Sequence, residues 1–303
     1  MESHVKPDTR RRILDATLAA EKDFSAELTV PMLAEIAGMS DKHFQRAFQA
    51  VIGESPKSYL RRVRLQYAAY CLVWSEASVD EIARTFGFLT HAGFTKAFRR
   101  HYGTSPKNFR DNKAAVPYMR LKGRDSSSAI ARQLASDKLS VRLETTLERR
   151  VAVVRHVGAT ETLHHAWQKL LRWAKPKKLV HEHSIFIGIH HDYWDESSED
   201  RYRYDAALVI PTDFDVQGEV NTQVLCGGLV AATEFHGKMQ EAEETWRYFM
   251  DQWLPSSGYQ LRKSYVFDRY PYWLVQQSFL GLLKLQMGRI QASFCIPISD
   301  TPT

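Results

Sequence analysis

Apolar residues recur at three- and four-residue intervals through the first 110 or so positions, with no sustained alternation, which predicts helices throughout the opening third of the chain. Ile13, Leu14, Thr17 and Leu18 make the inner stripe of a first helix. Thr29, ahead of Val30 and Pro31, is an N-cap followed by a helix-compatible proline, and Gly38 closes this second helix after Ala37. Ser40 caps a third helix over 41–51, whose Phe44 and Phe48 stand one turn apart and face inward. Ser55-Pro56 then opens a long fourth helix that reaches about Trp74.

The same design returns. Ser78 and Glu81 form a capping box, Gly87 breaks the helix that follows, and a further helix runs over 90–101 with Phe94 and Phe98 repeating the pair Phe44 and Phe48. Gly103, Ser105, Pro106 and Phe109 repeat Gly53, Ser55, Pro56 and Tyr59, an internal repeat of about 50 residues. Two copies point to duplication of one helical unit.

From 111 to 140 the residues become small, polar and charged, as in a linker. Strand-like runs at 150–157, 183–190, 202–210, 228–236, 264–270 and 291–298 follow, interleaved with helical periodicity at 161–174 and 239–254. The order strand, helix, strand, strand occurs twice, so the second part reads as an α+β domain of two β-α-β-β halves. The expected organisation is an all-α domain over 1–112, a linker over 113–139 and the α+β domain over 140–303.

Charge sharpens this division. Lys and Arg outnumber Asp and Glu by 21 to 14 over residues 1–125 and stand at 20 to 21 over the rest, so the net charge of +6 belongs to the helical part. A basic head on a neutral body is the distribution of a nucleic-acid-binding protein, and also that of a solvated basic face. The charged N-terminus lacks the apolar stretch of a signal peptide, and no apolar run approaches bilayer length, so a cytoplasmic, nucleoid-associated protein with no membrane partner is expected. Cys71, Cys226 and Cys295 fit neither a disulfide framework nor a zinc spacing and read as small buried residues.

A short helix, a tight turn and a second helix form a rigid unit that can set its second helix into the major groove of double-stranded DNA. With Phe44, Ala47 and Phe48 inward, the first such helix presents Asp41, Lys42, Gln45, Arg46 and Gln49 outward, and Gln and Arg suit adenine and guanine edges. The second presents His91, Ala92, Thr95, Lys96 and Arg99, a face poorer in bidentate donors and better suited to phosphates.

The segments LAEIAGMSDKHFQRAFQAVIGESPKSYLRRVRLQYAAYCL and VDEIARTFGFLTHAGFTKAFRRHYGTSPKNFR resemble the DNA-binding domain of the AraC/XylS family over about residues 25–110. The resemblance implies base reading by Lys42, Gln45 and Arg46 in the first unit and by His91, Thr95 and Lys96 in the second. Ser40, Lys57, Arg99 and Lys107 are the implied backbone contacts, with Arg61 and Arg62 either backbone contacts or structural ion-pair partners. A promoter site in duplex DNA is the implied partner, RNA polymerase a further one, and activation the implied output.

The remainder is similar to a GyrI-like effector domain, through RYDAALVIP, GGLVAATEFHG, WLPSSGYQL, YVFDRY and the closing FCIPI, giving a Rob-like architecture. That family implies a curved antiparallel sheet with two helices, enclosing an aromatic-lined pocket with a carboxylate for a small, lipophilic and cationic effector. Asp268 stands where the family usually has Glu. Alternation places Asp268 and Tyr270 on one strand face, an acid beside a ring, unless Asp268 is a surface residue paired with Arg269 or Lys263. Tyr193, Trp194, Trp167 and Trp246 are pocket walls or ordinary packing, and Glu234 is a further acid of the domain.

His181, His183, His190 and His191 raise a metal reading, but no third ligand joins them at a recognised spacing, so neither metal nor cofactor is expected. Two other readings stand beside the ligand sensor. One makes the second domain a protein-interaction module. The other, a hydrolase using Tyr270 with Asp268 or Glu234, is the weaker, with no phosphate loop and no GxSxG elbow, so no catalytic residue is assigned.

Overall fold

The computed structural model describes residues 6–22, 28–75, 77–111, 140–192, 202–262, 265–279 and 289–299. The linker expected over 113–139 lies outside them. The chain divides into two compact units, residues 1–120 with 217–221, and residues 121–216 with 222–303.

The first unit is helical: α1 (Pro7–Lys22), α2 (Val30–Ile36), α3 (Asp41–Ile52), α4 (Pro56–Trp74), α5 (Val79–Thr85), α6 (His91–Tyr102) and α7 (Pro106–Asp111). The starts follow the capping chemistry. Thr29 and Thr90 accept from the backbone N–H groups of Met32 (3.5 Å) and Gly93 (3.0 Å), and the Ser78/Glu81 box closes with bonds of 3.2 and 2.7 Å. Ser40 takes the extended N-cap conformation but its hydroxyl makes no capping bond. Gly38 and Gly87 turn the chain between α2 and α3 and between α5 and α6 at φ of +58° and +79°, a region that side chains with a Cβ enter only with strain.

The duplication is visible in the core. Phe44 and Phe48 lie 5.3 Å apart and Phe48 meets Tyr59 edge-on at 5.3 Å; their counterparts Phe94 and Phe98 lie 5.5 Å apart and Phe98 meets Phe109 edge-on at 5.2 Å. Tyr59 is the counterpart of Phe109, and its buried hydroxyl has a partner, the carboxylate of Glu21 on α1.

The second unit is one antiparallel sheet with helices on a face. Its strands are β1 (Val141–Thr146), β2 (Arg149–Val157), β3 (Phe186–His190), β4 (Arg203–Val209), β5 (Asn221–Leu225), β6 (Gly228–Lys238), β7 (Gln260–Leu261), β8 (Val266–Tyr270) and β9 (Arg289–Ser299). The helices are α8 (His164–Ala174), α9 (Met239–Tyr248), the four-residue α10 (Leu254–Ser257) and α11 (Tyr272–Phe279). The order β1-β6-β9-β8-β3-β4-β2-β5, with β7 on β9, sets the halves β2-α8-β3-β4 and β6-α9-β8-β9 side by side. Each half's leading strand crosses over: β1 pairs with β6 of the second half and β5 with β2 of the first.

These leading strands escape the periodicity reading because they are edges. β1, VRLETT, buries no residue fully, exposes both Arg142 and Leu143, and carries as many charges as large apolar residues. The third strand begins at Phe186, not at 183, since Ser184 donates its N–H to the His181 carbonyl (2.9 Å) and closes a turn. His181 and His183 are therefore exposed turn residues rather than strand neighbours. Cys295 is buried, Cys71 half-buried and Cys226 exposed, which corrects the buried reading for the last.

Candidate nucleic-acid interface and effector site

Two helices supply the candidate DNA face. On α3 the buried stripe is Phe44, Ala47 and Phe48, so Asp41, Lys42, Gln45 and Arg46 are exposed on the other side. The Arg46 Nε donates to the Lys42 carbonyl at 3.3 Å, which lays the side chain back along the helix and leaves the reader face intact. Gln49 is turned to the Gly53 carbonyl at 2.8 Å. On α6, His91, Ala92, Lys96, Arg99 and Arg100 are exposed and line a groove, with His91 Nδ1 3.3 Å from an Asp80 carboxylate oxygen.

Two expectations on this face change. Thr95 is half-buried and lines the same groove as His91 and Lys96, but its hydroxyl oxygen is buried without a hydrogen-bond partner among the described residues, so it must change rotamer to face a base edge. Arg62 is the structural alternative: its Nε donates to Glu54 at 3.0 Å, both side chains are only 12% exposed, and its guanidinium lies 5.2 Å from the centre of the Tyr59 ring. Ser40, Lys57, Arg61, Arg99 and Lys107 are all exposed. Gly93, where a polar residue would add readout, is tied to the cap, since a Cβ there would stand 2.9 Å from the Thr90 hydroxyl oxygen.

In the second unit, strand register decides which residues meet. Asp268 pairs with Phe294 and Phe294 with Thr233, so these share the face on which Trp167 of α8 and Trp246 of α9 lie. Tyr270 donates to Asp268 Oδ2 at 2.8 Å, which joins the acid and the ring as alternation required. Trp167 meets the Tyr270 ring at 5.5 Å, and Trp246 stacks on Phe294 at 4.7 Å and meets the His190 ring at 5.9 Å. Asp268 is 3% exposed, and Arg269 points to the opposite face, where it pairs with Glu144 at 2.6 Å, so the surface ion pair with Arg269 is excluded. Burial first, and then the charge of Asp268, raises the phenols of Tyr270 and Tyr204 well above their usual value, so both remain protonated donors.

Glu234 leaves the candidate site. Next to Thr233 along β6, it faces the other side of the sheet, 54% exposed, held by Arg142 at 2.6 Å and by the Ser293 hydroxyl at 2.7 Å. It therefore shares no site with Tyr270, which removes the Tyr270/Glu234 arrangement from the hydrolase reading. Tyr193 and Trp194 lie outside the described residues.

His190, weighed in the sequence only as a metal candidate, belongs to this site. Its Nε2 lies 2.7 Å from Asp268 Oδ2 and its Nδ1 is bonded to the Tyr202 hydroxyl. Only the register shows this: as the last residue of β3 it lies two places along the strand from Gly188, which pairs with Asp268, and so on the same face. Among the described residues no three His, Cys, Asp or Glu side chains converge as metal ligands, and no helix is long and apolar enough to cross a membrane.

Residues 33–112 match the family described as helix-turn-helix domain, and residues 139–272 the family described as GyrI-like small molecule binding domain. A helix-turn-helix-type transcriptional regulator of Haemophilus influenzae, itself uncharacterised, is 39% identical over 100 residues, 33% of this chain and 34% of that protein. The probable transcription factor PqrA of Proteus vulgaris is 35% identical over 85 residues, 28% of this chain and 70% of that protein. The crystal structure of the DNA-binding domain of AdpA in complex with a target DNA is 31% identical, covering 34% of this chain and 93% of that one, with a TM-score of 0.33. The chain thus spans about a third of the length of the first of these relatives.

Proposed function

The chain belongs to the AraC-type helix-turn-helix regulators, and from that premise we propose that it is a sequence-specific DNA-binding transcription regulator whose second unit takes a small aromatic effector. The observation that carries the DNA half is the duplicated unit: two helices, α3 and α6, each closed by a left-handed glycine, with its phenylalanine pair buried and its basic, polar face exposed. Lys42, Gln45 and Arg46 read bases from α3. His91 and Lys96 serve α6, with Ser40, Lys57, Arg61, Arg99 and Lys107 on the phosphates. Two reader helices in one chain let a monomer grip two consecutive major-groove segments.

Selection of duplexes from a random pool tests this. The expected product is a bipartite site whose halves are spaced by about 10 base pairs, one helical turn, with the more strongly specified half belonging to α3. Enrichment of one short half-site, or of none, contradicts it. The output proposed from the family resemblance is activation through RNA polymerase, so a reporter behind the selected site is expected to rise when the protein is supplied.

The effector half is supported by the match to a small-molecule binding family and by the union of Asp268, Tyr270, Trp167 and Trp246 on one sheet face. An acid among aromatic rings suits two ligand classes: the lipophilic cation expected from the sequence, and a neutral ring bearing a hydrogen-bond donor.

A further inference from the structure

The two carboxylate oxygens of Asp268 are not equivalent. Oδ2 already holds two donors, His190 Nε2 at 2.7 Å and the Tyr270 hydroxyl at 2.8 Å, whereas Oδ1 is buried with no hydrogen-bond partner among the described residues. The imidazole is fixed in place. Tyr202 holds its Nδ1, and the rings of Tyr204 and Trp246 flank it at 5.3 and 5.9 Å. Gly188 makes this packing possible, since a Cβ there would stand 2.1 Å from the Tyr204 hydroxyl oxygen. The side chains of His190 and Asp268 are 12% and 4% exposed.

A permanent cation that carries no N–H or O–H gains from Asp268 only by standing against its oxygens. It has no hydrogen to give Oδ1, and the charge it would meet is already offset at Oδ2 by two donors, His190 Nε2 and the Tyr270 hydroxyl. A neutral ring with one donor does not depend on that charge: its N–H or O–H satisfies Oδ1, an acceptor whose burial without a partner is costly. Its ring meets the aromatic surface of Tyr270 and Trp167. Resting on the effector reading above, we infer that His190 sets the charge selectivity of this site, admitting neutral aromatic ligands with one hydrogen-bond donor and excluding permanent cations.

The probes are 2-naphthol, a neutral donor, 2-methylnaphthalene, its counterpart without a donor, and N-methylquinolinium, a permanent cation of similar shape. Isothermal titration of the full chain is expected to show 2-naphthol binding at least tenfold more tightly than either of the others. His190→Ala is expected to tighten N-methylquinolinium at least tenfold, and adding Asp268→Asn to remove that gain. Tyr202→Phe keeps the ring but releases the imidazole, and is expected to shift selectivity the same way by a smaller factor, which preserves the test if His190→Ala does not fold. A cation that binds the unaltered protein as tightly as 2-naphthol, or that gains nothing from either substitution, overturns the inference and leaves the effector reading standing. Binding of no probe to any variant overturns both.

Discussion

Arg46→Ala is expected to weaken binding to the selected duplex by roughly 5- to 150-fold, the worth of one bidentate base contact at about 1–3 kcal/mol. Binding to unrelated duplexes of the same length is expected to change by less than about threefold. The difference follows from where the residue sits. Arg46 is exposed at the middle of α3, on the face opposite Phe44 and Phe48, and its hydrogen bond to the Lys42 carbonyl closes on its own helix. Removing it therefore subtracts a contact without disturbing the core. Competition binding with selected and scrambled duplexes measures both numbers, and an equal loss on both would make Arg46 a phosphate contact.

Asp205→Asn is expected to cost the second unit about 3–5 kcal/mol, because it breaks a buried ion pair from one side. Asp205 on β4 lies opposite Arg155 on β2, on the face turned away from Tyr204. The carboxylate is fully buried, with Arg155 Nη2 at 3.0 Å, His191 Nε2 at 2.8 Å and the Gln223 amide at 3.3 Å. Burial alone would raise its pKa; the charge of Arg155 and the bond from His191 overcome that and hold it below the usual carboxylate range. Its folded pKa is thus depressed, so its contribution is complete above the unfolded value of about 3.9 and is lost as pH falls towards the folded one. Thermal melts at pH 7 and pH 3 are expected to show an acid-induced loss in the unaltered protein that exceeds the variant's by about 1 kcal/mol, the part of the contribution lost within about one pH unit below the unfolded value. A variant as stable as its parent at pH 7 contradicts this.

The helical unit was legible almost residue by residue, because its information is local. Caps, glycine turns and phenylalanine pairs lie within a few positions of one another, and the second copy confirms the first. The two details of that face not fixed by local sequence, at Thr95 and Arg62, depend on packing: whether a hydroxyl faces inward, and whether Glu54 reaches an arginine eight residues away. The sheet was legible where strands are buried and not at its edges, since β1 and β5 are defined by partners in the opposite half. Asp268 beside Tyr270 followed from alternation within one strand. His190 needed the register between β3 and β8, 78 residues apart in sequence, and Glu234 was set aside by the register of β6 with β9.

The claim that this chain grips duplex DNA through exposed cations on its helical unit is tested most directly by the salt dependence of its affinity for the selected duplex. Lys57, Arg61, Arg99 and Lys107, if each neutralises one phosphate, give a slope of log affinity against log salt of about −3.6, at about 0.9 per contact. Lys107→Ala is expected to flatten that slope by about 0.9, and Arg62→Ala, whose guanidinium is held by Glu54, to leave it unchanged. A slope near zero, or one that Lys107→Ala leaves intact while Arg62→Ala flattens it, would contradict the assigned interface.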